Sequence, residues 1–222
     1  MSVTFDPRSK KNINTPGSAA ANRSEHVSEA ISFIKSITIF FAIALTLRAS
    51  VVEAFRIPSG SMEPTLEIGD HLLVNKLSYG IRLPLVAETV FDYDSPARGD
   101  IVVFTRPDDP RSPDEDESDT NIIKRVVGIG GDEVEVRGTY LYVNGERQEE
   151  SYARWQNGGA HDFQKGIVPE GHIFLLGDNR DMSKDGRFWS PPYLETSRVK
   201  GRAFIVFWNS SFALKRMFNI IR

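Results

Sequence analysis

The chain has 222 residues, a formal net charge of −3 and no cysteine. The lack of thiols excludes cysteine nucleophiles, cysteine zinc sites and a disulfide framework, and the near-neutral charge argues against a nucleic-acid binder. The length suits one catalytic domain plus an anchor, or one domain with a small insert.

Residues 1–30 are polar and rich in Ser, Asn and Lys, and read as a flexible cytoplasmic tail. An uncharged run over 36–47 follows, between Lys35 and Arg48. Taken as 31–54, the apolar stretch is long enough, at about 1.5 Å per residue, to cross a hydrocarbon core of roughly 30 Å. Lys35 and Arg48 would then snorkel toward opposite interfaces. A buried soluble helix and the apolar part of a cleaved leader both fit a clean run this short. The polar leader is long, however, and no A-x-A site follows, so the expectation is an uncleaved transmembrane helix. Arg8, Lys10, Lys11, Arg23 and Lys35 precede the run, which keeps the N-terminus in the cytoplasm and puts the C-terminal bulk outside.

Beyond Ala54 short apolar segments alternate with Gly, Pro and Asn-Gly signals. The segments 71–76, 100–105, 121–129, 133–136, 140–143, 172–176 and 202–208 are β-branched or aromatic and too short for helices. Val143-Asn144-Gly145-Glu146 predicts a tight hairpin, because Asn-Gly accepts positive φ at both central positions. The expected fold is mainly β: a barrel-like or sandwich-like catalytic domain over 55–222, with a small inserted β subdomain over 133–172. Residues 108–119 form an acidic run that reads as a solvated loop, since a calcium loop needs spaced ligands and a Gly turn. His26, His71, His161 and His172 are scattered and make no metal-binding spacing. Near the end, Leu214, Met217, Phe218 and Ile221 recur at helical spacing and predict a short basic amphipathic helix. It would pack on the β domain or lie on a membrane surface.

Three segments carry candidate chemistry. Residues 55–66 contain Pro58, Pro64 and Gly60 around Ser59 and Ser61. A rigid turn of this kind can hold a hydroxyl and a backbone N–H together, as acyl transfer requires; taken alone it is also an ordinary polar turn. In the segment 121–128, strand alternation puts Ile122, Lys124 and Val126 on one face. A lysine among apolar neighbours is desolvated, which favours the neutral amine and makes it a possible base; a strand-edge lysine whose head reaches water is the plain alternative. The third segment, 177–187, is a dense polar loop in which Asp185 and Arg187 can pair.

Together these segments resemble the bacterial type I signal peptidases, or leader peptidases. Ser59-Gly60-Ser61-Met62-Glu63-Pro64-Thr65-Leu66, Arg98-Gly99-Asp100-Ile101-Val102-Val103-Phe104, Lys124-Arg125-Val126-Val127-Gly128 and Gly177-Asp178-Asn179-Arg180-Asp181 stand in the order of that family's motifs, behind an N-terminal apolar run. The likeness covers roughly residues 35 to 210. It implies Ser61 as nucleophile and Lys124 as general base. It further implies an oxyanion hole from the Ser59 hydroxyl and the Ser61 N–H, and supporting roles for Ser183, Asp185 and Arg187. Asp178 and Arg180 look structural. Small-residue pockets would be lined by Ile57, Met62, Leu66, Ile122 and Ile123, with Phe55 nearby. The implied activity is cleavage of signal peptides from secretory preproteins, after a small residue, at the outer face of the plasma membrane. It implies a monomer in contact with membrane lipid, with no metal, no cofactor and no nucleic acid. Met182, Gly186 and Ala54 depart from residues common in the family. Two alternatives differ in class: the self-cleaving repressors, which share the dyad but carry a DNA-binding domain, and a membrane-tethered β binding module with an inactive site.

Overall fold

The structure of the protein is a computed structural model that describes residues 29–41, 51–82, 89–92, 94–105, 121–156, 161–211 and 214–221. All of the expected 1–30 tail but residues 29 and 30, the middle of the expected anchor over 42–50 and the acidic run over 108–119 lie outside them. The chain divides into two compact units, Met1–Leu47 and Arg48–Arg222.

In the first unit residues 29–41 are helical. Its apolar side chains are exposed, among them Ile31, Phe33, Ile34, Phe40 and Phe41. Among the described residues no helix is long and apolar enough to cross a membrane. Val52, Glu53 and Ala54, the last residues of the expected 31–54 anchor, belong instead to a strand that pairs with 73–75. Their alternation suits an edge strand better than a continuous helix.

The second unit is built from strands. They are β1 (Val52–Arg56), β2 (Asp70–Asn75), β3 (Gly80–Arg82), β4 (Thr89–Asp92), β5 (Ile101–Thr105), β6 (Asn121–Ile129) and β7 (Glu133–Arg137). There follow β8 (Tyr140–Val143), β9 (Glu146–Arg147), β10 (Phe163–Ile167), β11 (His172–Leu176), β12 (Tyr193–Glu195), β13 (Val199–Asn209) and β14 (Asn219–Ile220). The main sheet runs β1-β2-β13-β5-β6-β11-β12, with β14 added to β13. A second sheet, β10-β7-β8-β9, is the insert, and β3 and β4 form a separate ribbon. The mainly β expectation is met, and the segments 121–129, 140–143 and 172–176 are strands over their predicted lengths. The predicted hairpin forms between β8 and β9, with Asn144 at φ 55° and Gly145 at φ 81°.

Burial explains the Ile-Val-Val-Phe run of β5. Ile101 and Val103 enter one apolar cluster with Leu72, Val74, Ala203 and Val206. Val102 and Phe104 point the other way, into a cluster with Val126, Ile173, Leu175 and Leu194. A strand covered on both faces loses the usual polar alternation and reads as one continuous apolar segment. The insert closes a third cluster, in which Val134, Val136, Leu141 and Val143 meet Val127, Phe174 and Leu176 of the main sheet.

The C-terminus departs from the predicted helix. Only Leu214–Arg216 turn, as 3-10 helix, and Phe218 takes positive φ. Asn219 and Ile220 then pair with β13. β5 uses only Val199–Arg202 of that long strand, so the same edge of β13 is open further along. Pairing an open edge satisfies backbone groups that a lone two-turn helix would leave to water. Arg216 fastens the segment. Its guanidinium donates to both oxygens of Asp70, to Glu67 Oε1 at 2.9 Å and to the Thr65 carbonyl at 3.1 Å. Asn209 Nδ2 reaches Asp70 Oδ1 at 2.6 Å.

Burial pushes the Asp70 carboxyl up, but hydrogen bonds from Arg216, Asn209 and the Glu67 N–H outweigh it and hold it below the usual carboxylate range. The folded carboxyl therefore binds its proton less readily than the unfolded one. Its contribution is complete above the unfolded value of about 3.9 and is lost as pH falls through the lower, folded value. Asp70→Asn is expected to cost about 2 kcal/mol at pH 7, and its deficit against wild type should narrow as pH falls below about 4. Urea denaturation of both proteins from pH 7 down to pH 3 checks this.

Candidate active site

The turn after β1 carries Ser61. Gly60–Met62 form one 3-10 turn, and the Met62 and Leu66 side chains on either side of Pro64 have no exposed surface. Burying each such side chain contributes about 1.5–3 kcal/mol, so apolar anchors hold the turn down. Its two ends are tied by the Ile57 N–H to the Asp70 carbonyl at 2.8 Å and by the Gly69 N–H to the Ile57 carbonyl at 2.9 Å. The Ser61 side of the turn is left at the surface of the cluster, at 9% exposure.

Lys124 comes from the middle of β6. Ile122 and Val126 both pack into the second cluster, as the alternation predicted, and Lys124 between them is 3% exposed. β11 stops pairing at Leu176↔Arg125, so Lys124 lies one residue past that ladder. Lys124 Nζ sits 2.8 Å from Ser61 Oγ and 3.1 Å from the Ile123 carbonyl. Ser59 is exposed, with its hydroxyl 3.5 Å from Ser61 Oγ.

The polar loop 177–187 fills the space beyond the end of β11. Gly177 stands where a Cβ would run into the Ser183 side chain and the Ser61 carbonyl, so only glycine lets the loop approach this closely. The Asn179 N–H donates to the Ser61 carbonyl at 3.1 Å and its side-chain amide to the Gly60 carbonyl at 3.0 Å. Asp185 and Arg187 form the expected fork, with Nε to Oδ1 at 2.8 Å and Nη2 to Oδ2 at 2.9 Å. Asp185 also accepts the Gly177 N–H at 3.0 Å, and Arg187 donates to the Arg180 carbonyl at 2.6 Å. Together they set the loop's backbone. Ser183 is buried beside this backbone, and its hydroxyl makes no hydrogen bond, so it does not bond Lys124 here.

The expected pocket residues divide. Ile57, Met62 and Leu66 are buried in the first cluster, with Phe55 and Ile123 partly buried against it. Ile122 packs against the second cluster instead, because neighbouring strand residues point to opposite faces. Among the described residues there is no group of three or more His, Asp or Glu side chains that could hold a metal ion.

A pairing that sequence reading passed over completes the frame. Arg125 Nε and Nη2 each lie 2.8 Å from an oxygen of Asp178, and the two side chains are 2% and 0% exposed. Thr65 donates its hydroxyl to the same Asp178 carboxylate. The Ser61 turn, the Lys124 strand and the loop therefore share one buried group. A signal existed: Arg125 lies inside an Ile-Ile-Lys-Arg-Val-Val run, and a buried arginine needs an acidic partner.

The sequence profile described as signal peptidase, peptidase S26, matches residues 30–208. The chain is similar to signal peptidase I of Pseudomonas fluorescens, 37% identical over 215 residues that cover 81% of this chain and 72% of that protein. It is 35% identical to signal peptidase I of Pseudomonas aeruginosa, with 94% and 85% covered. Against signal peptidase I of Leptolyngbya laminosa it is 36% identical, with 87% of each chain covered.

Asp178→Ala would leave the Arg125 guanidinium buried without its counter-ion. A loss of about 3–5 kcal/mol is expected, measured as a lower midpoint in chemical denaturation.

Proposed function

The chain belongs to the signal peptidase family, peptidase S26, and from that premise we propose that it cleaves signal peptides from secretory preproteins with Ser61 as nucleophile and Lys124 as general base. The observation that carries this reading is the 2.8 Å approach of Lys124 Nζ to Ser61 Oγ, in a buried setting, between residues 63 apart in the chain.

Burial disfavours an ammonium ion and favours the neutral amine. Neutral Lys124 takes the Ser61 proton as Ser61 Oγ attacks the carbonyl that follows a small residue. The oxyanion that forms is met by the Ser61 N–H and by the Ser59 hydroxyl, which stands 3.5 Å from Ser61 Oγ. Protonated Lys124 then gives its proton to the leaving amine. In the second half, Lys124 draws a proton from water as that water attacks the acyl group on Ser61, then returns the proton to Ser61 Oγ as the ester bond breaks and the acid product leaves. Lys124 Nζ is already within hydrogen-bond reach of Ser61 Oγ, which is the geometric requirement for proton transfer. Met62 and Leu66, fully buried, form the floor beneath Ser61. Phe55 and Ile123 keep some exposure and are the side chains that a small substrate residue would touch. Asp185 and Arg187 support the loop that buries Ser183.

The apolar run from residue 31 up to the start of β1 at Val52 is the proposed anchor. Over 29–41 the helix is apolar on several sides and those side chains are exposed, as suits a helix in lipid. The basic residues before it place the N-terminus in the cytoplasm and residues 55–222 outside the plasma membrane. The catalytic unit works there as a monomer, without a metal or cofactor.

Ser61→Ala and Lys124→Met are each expected to abolish preprotein processing in detergent, by at least 10²–10⁴-fold. Ser59→Ala should lose about 10²–10³-fold in kcat while a serine-trapping probe still labels Ser61. Near-normal turnover by Lys124→Met at pH 8 overturns the dyad.

A further inference from the structure

A segment of the insert crosses the back of the candidate site. It leaves β9 and runs over residues 150–156, against the loop that holds Ser61. The Arg154 N–H donates to the Asp178 carbonyl at 2.7 Å, and the Arg180 N–H donates back to the Arg154 carbonyl at 2.9 Å. Arg154 and Asn179 thereby form a parallel bridge. The side chains go further. The Arg125 guanidinium lies 3.8 Å over the ring of Tyr152. The Tyr152 hydroxyl donates to Glu150 Oε1 at 2.9 Å. The same carboxylate oxygen takes Arg180 Nη2 at 2.5 Å, in an ion pair whose side chains are 0% and 6% exposed. Arg180 in turn donates through Nε to the Gly177 carbonyl at 3.0 Å.

We propose that Tyr152 and Glu150 are positioning residues for the reaction: from the inserted subdomain they hold Arg125 and Arg180, and through these they fix Lys124 against Ser61. Arg125 is the next residue to Lys124, and it is held on one side by Asp178 and on another by the Tyr152 ring. A cation against an aromatic face gains most where water is excluded, and Arg125 is 2% exposed. Without the ring, one wall of the Arg125 site is gone and the guanidinium can leave its fork with Asp178. The Lys124 backbone then shifts with it. Glu150 acts on the opposite flank. It holds Arg180, and Arg180 holds the Gly177 carbonyl where the loop turns toward the Ser61 carbonyl. Burial and the neighbouring Glu150 charge push the Tyr152 phenol up, so it stays protonated and keeps donating to Glu150. The insert is thus part of the machinery that sets dyad geometry.

This inference rests on the Ser61–Lys124 reading, and its test separates the two. Full-length enzyme in detergent is assayed on a preprotein, with kcat and KM measured separately across pH and each rate divided by the sites labelled by a serine-trapping probe. Ser61→Ala is run alongside; processing by that variant overturns the dyad reading itself. With Ser61→Ala inactive, Tyr152→Ala is expected to lower kcat per labelled site about tenfold, on the scale that small misplacements of reacting groups cost. KM should stay within about twofold, since the substrate contacts are untouched. Tyr152→Phe keeps the ring and should restore kcat to within about threefold of wild type. If Tyr152→Ala does not fold, Glu150→Gln carries the test: its kcat per labelled site should fall about fivefold with KM unchanged. An unchanged kcat per labelled site in whichever variant is read, a change confined to KM, or a Tyr152→Phe as impaired as Tyr152→Ala overturns the proposal.

Discussion

Asp178 has no exposed side chain, and its carboxylate is shared by Arg125 on β6 and Thr65 on the turn that carries Ser61. Two segments with no covalent reason to meet are joined through this group. A buried carboxylate is costly unless fully bonded, and here both oxygens have partners with charge or a hydroxyl. The cost of leaving any of them unpaired is what makes the arrangement rigid. The candidate dyad inherits that rigidity, since Lys124 adjoins Arg125 in sequence and Ser61 lies four residues before Thr65.

Around this polar link the structure is apolar. The first cluster holds the Ser61 turn by Met62 and Leu66, and the second holds the strand on either side of Lys124 by Ile122 and Val126. Each cluster alone would leave its polar group at the end of a lever. The strand β5, covered on both faces, is shared by the two clusters and paired directly with β6, with Val102 opposite Lys124. Apolar packing thus determines where the two elements lie. The Asp178 link and the loop bonds from Asn179 to the Ser61 turn determine the last ångström. At the far end of the same turn, Arg216 holds Thr65, Glu67 and Asp70, so the turn is gripped from two sides.

Legibility in the sequence followed the range of the interaction. The Asn144-Gly145 hairpin depends on two adjacent residues that accept positive φ, and it formed where predicted. β6, β8 and β11 were legible because β-branched and aromatic runs bounded by turn residues specify strands locally. The C-terminal helix was misread for the opposite reason. Leu214, Met217, Phe218 and Ile221 do have helical spacing, but an open stretch of β13 and the Asp70 carboxylate outcompete a short helix, and neither is visible near residue 214. Ile122 and Ile123 were placed in one pocket, whereas alternation sends them to different clusters. The Asp185–Arg187 fork was legible because its partners are two residues apart; the Arg125–Asp178 pair was not, because its partners are 53 residues apart.

The amino-acid sequence by itself determined the mainly β character, the hairpin, the residue types of the candidate chemistry and the family. Those properties rest on local backbone preference and on short motifs, which are written residue by residue. Only the tertiary structure decided that Ser61 and Lys124 meet, which carboxylate braces them, and that the insert lays Tyr152 and Glu150 against the frame. Such contacts arise when long-range pairing brings distant strands side by side. The free energy that selects one pairing comes from burying whole faces at once, which no single stretch of sequence expresses.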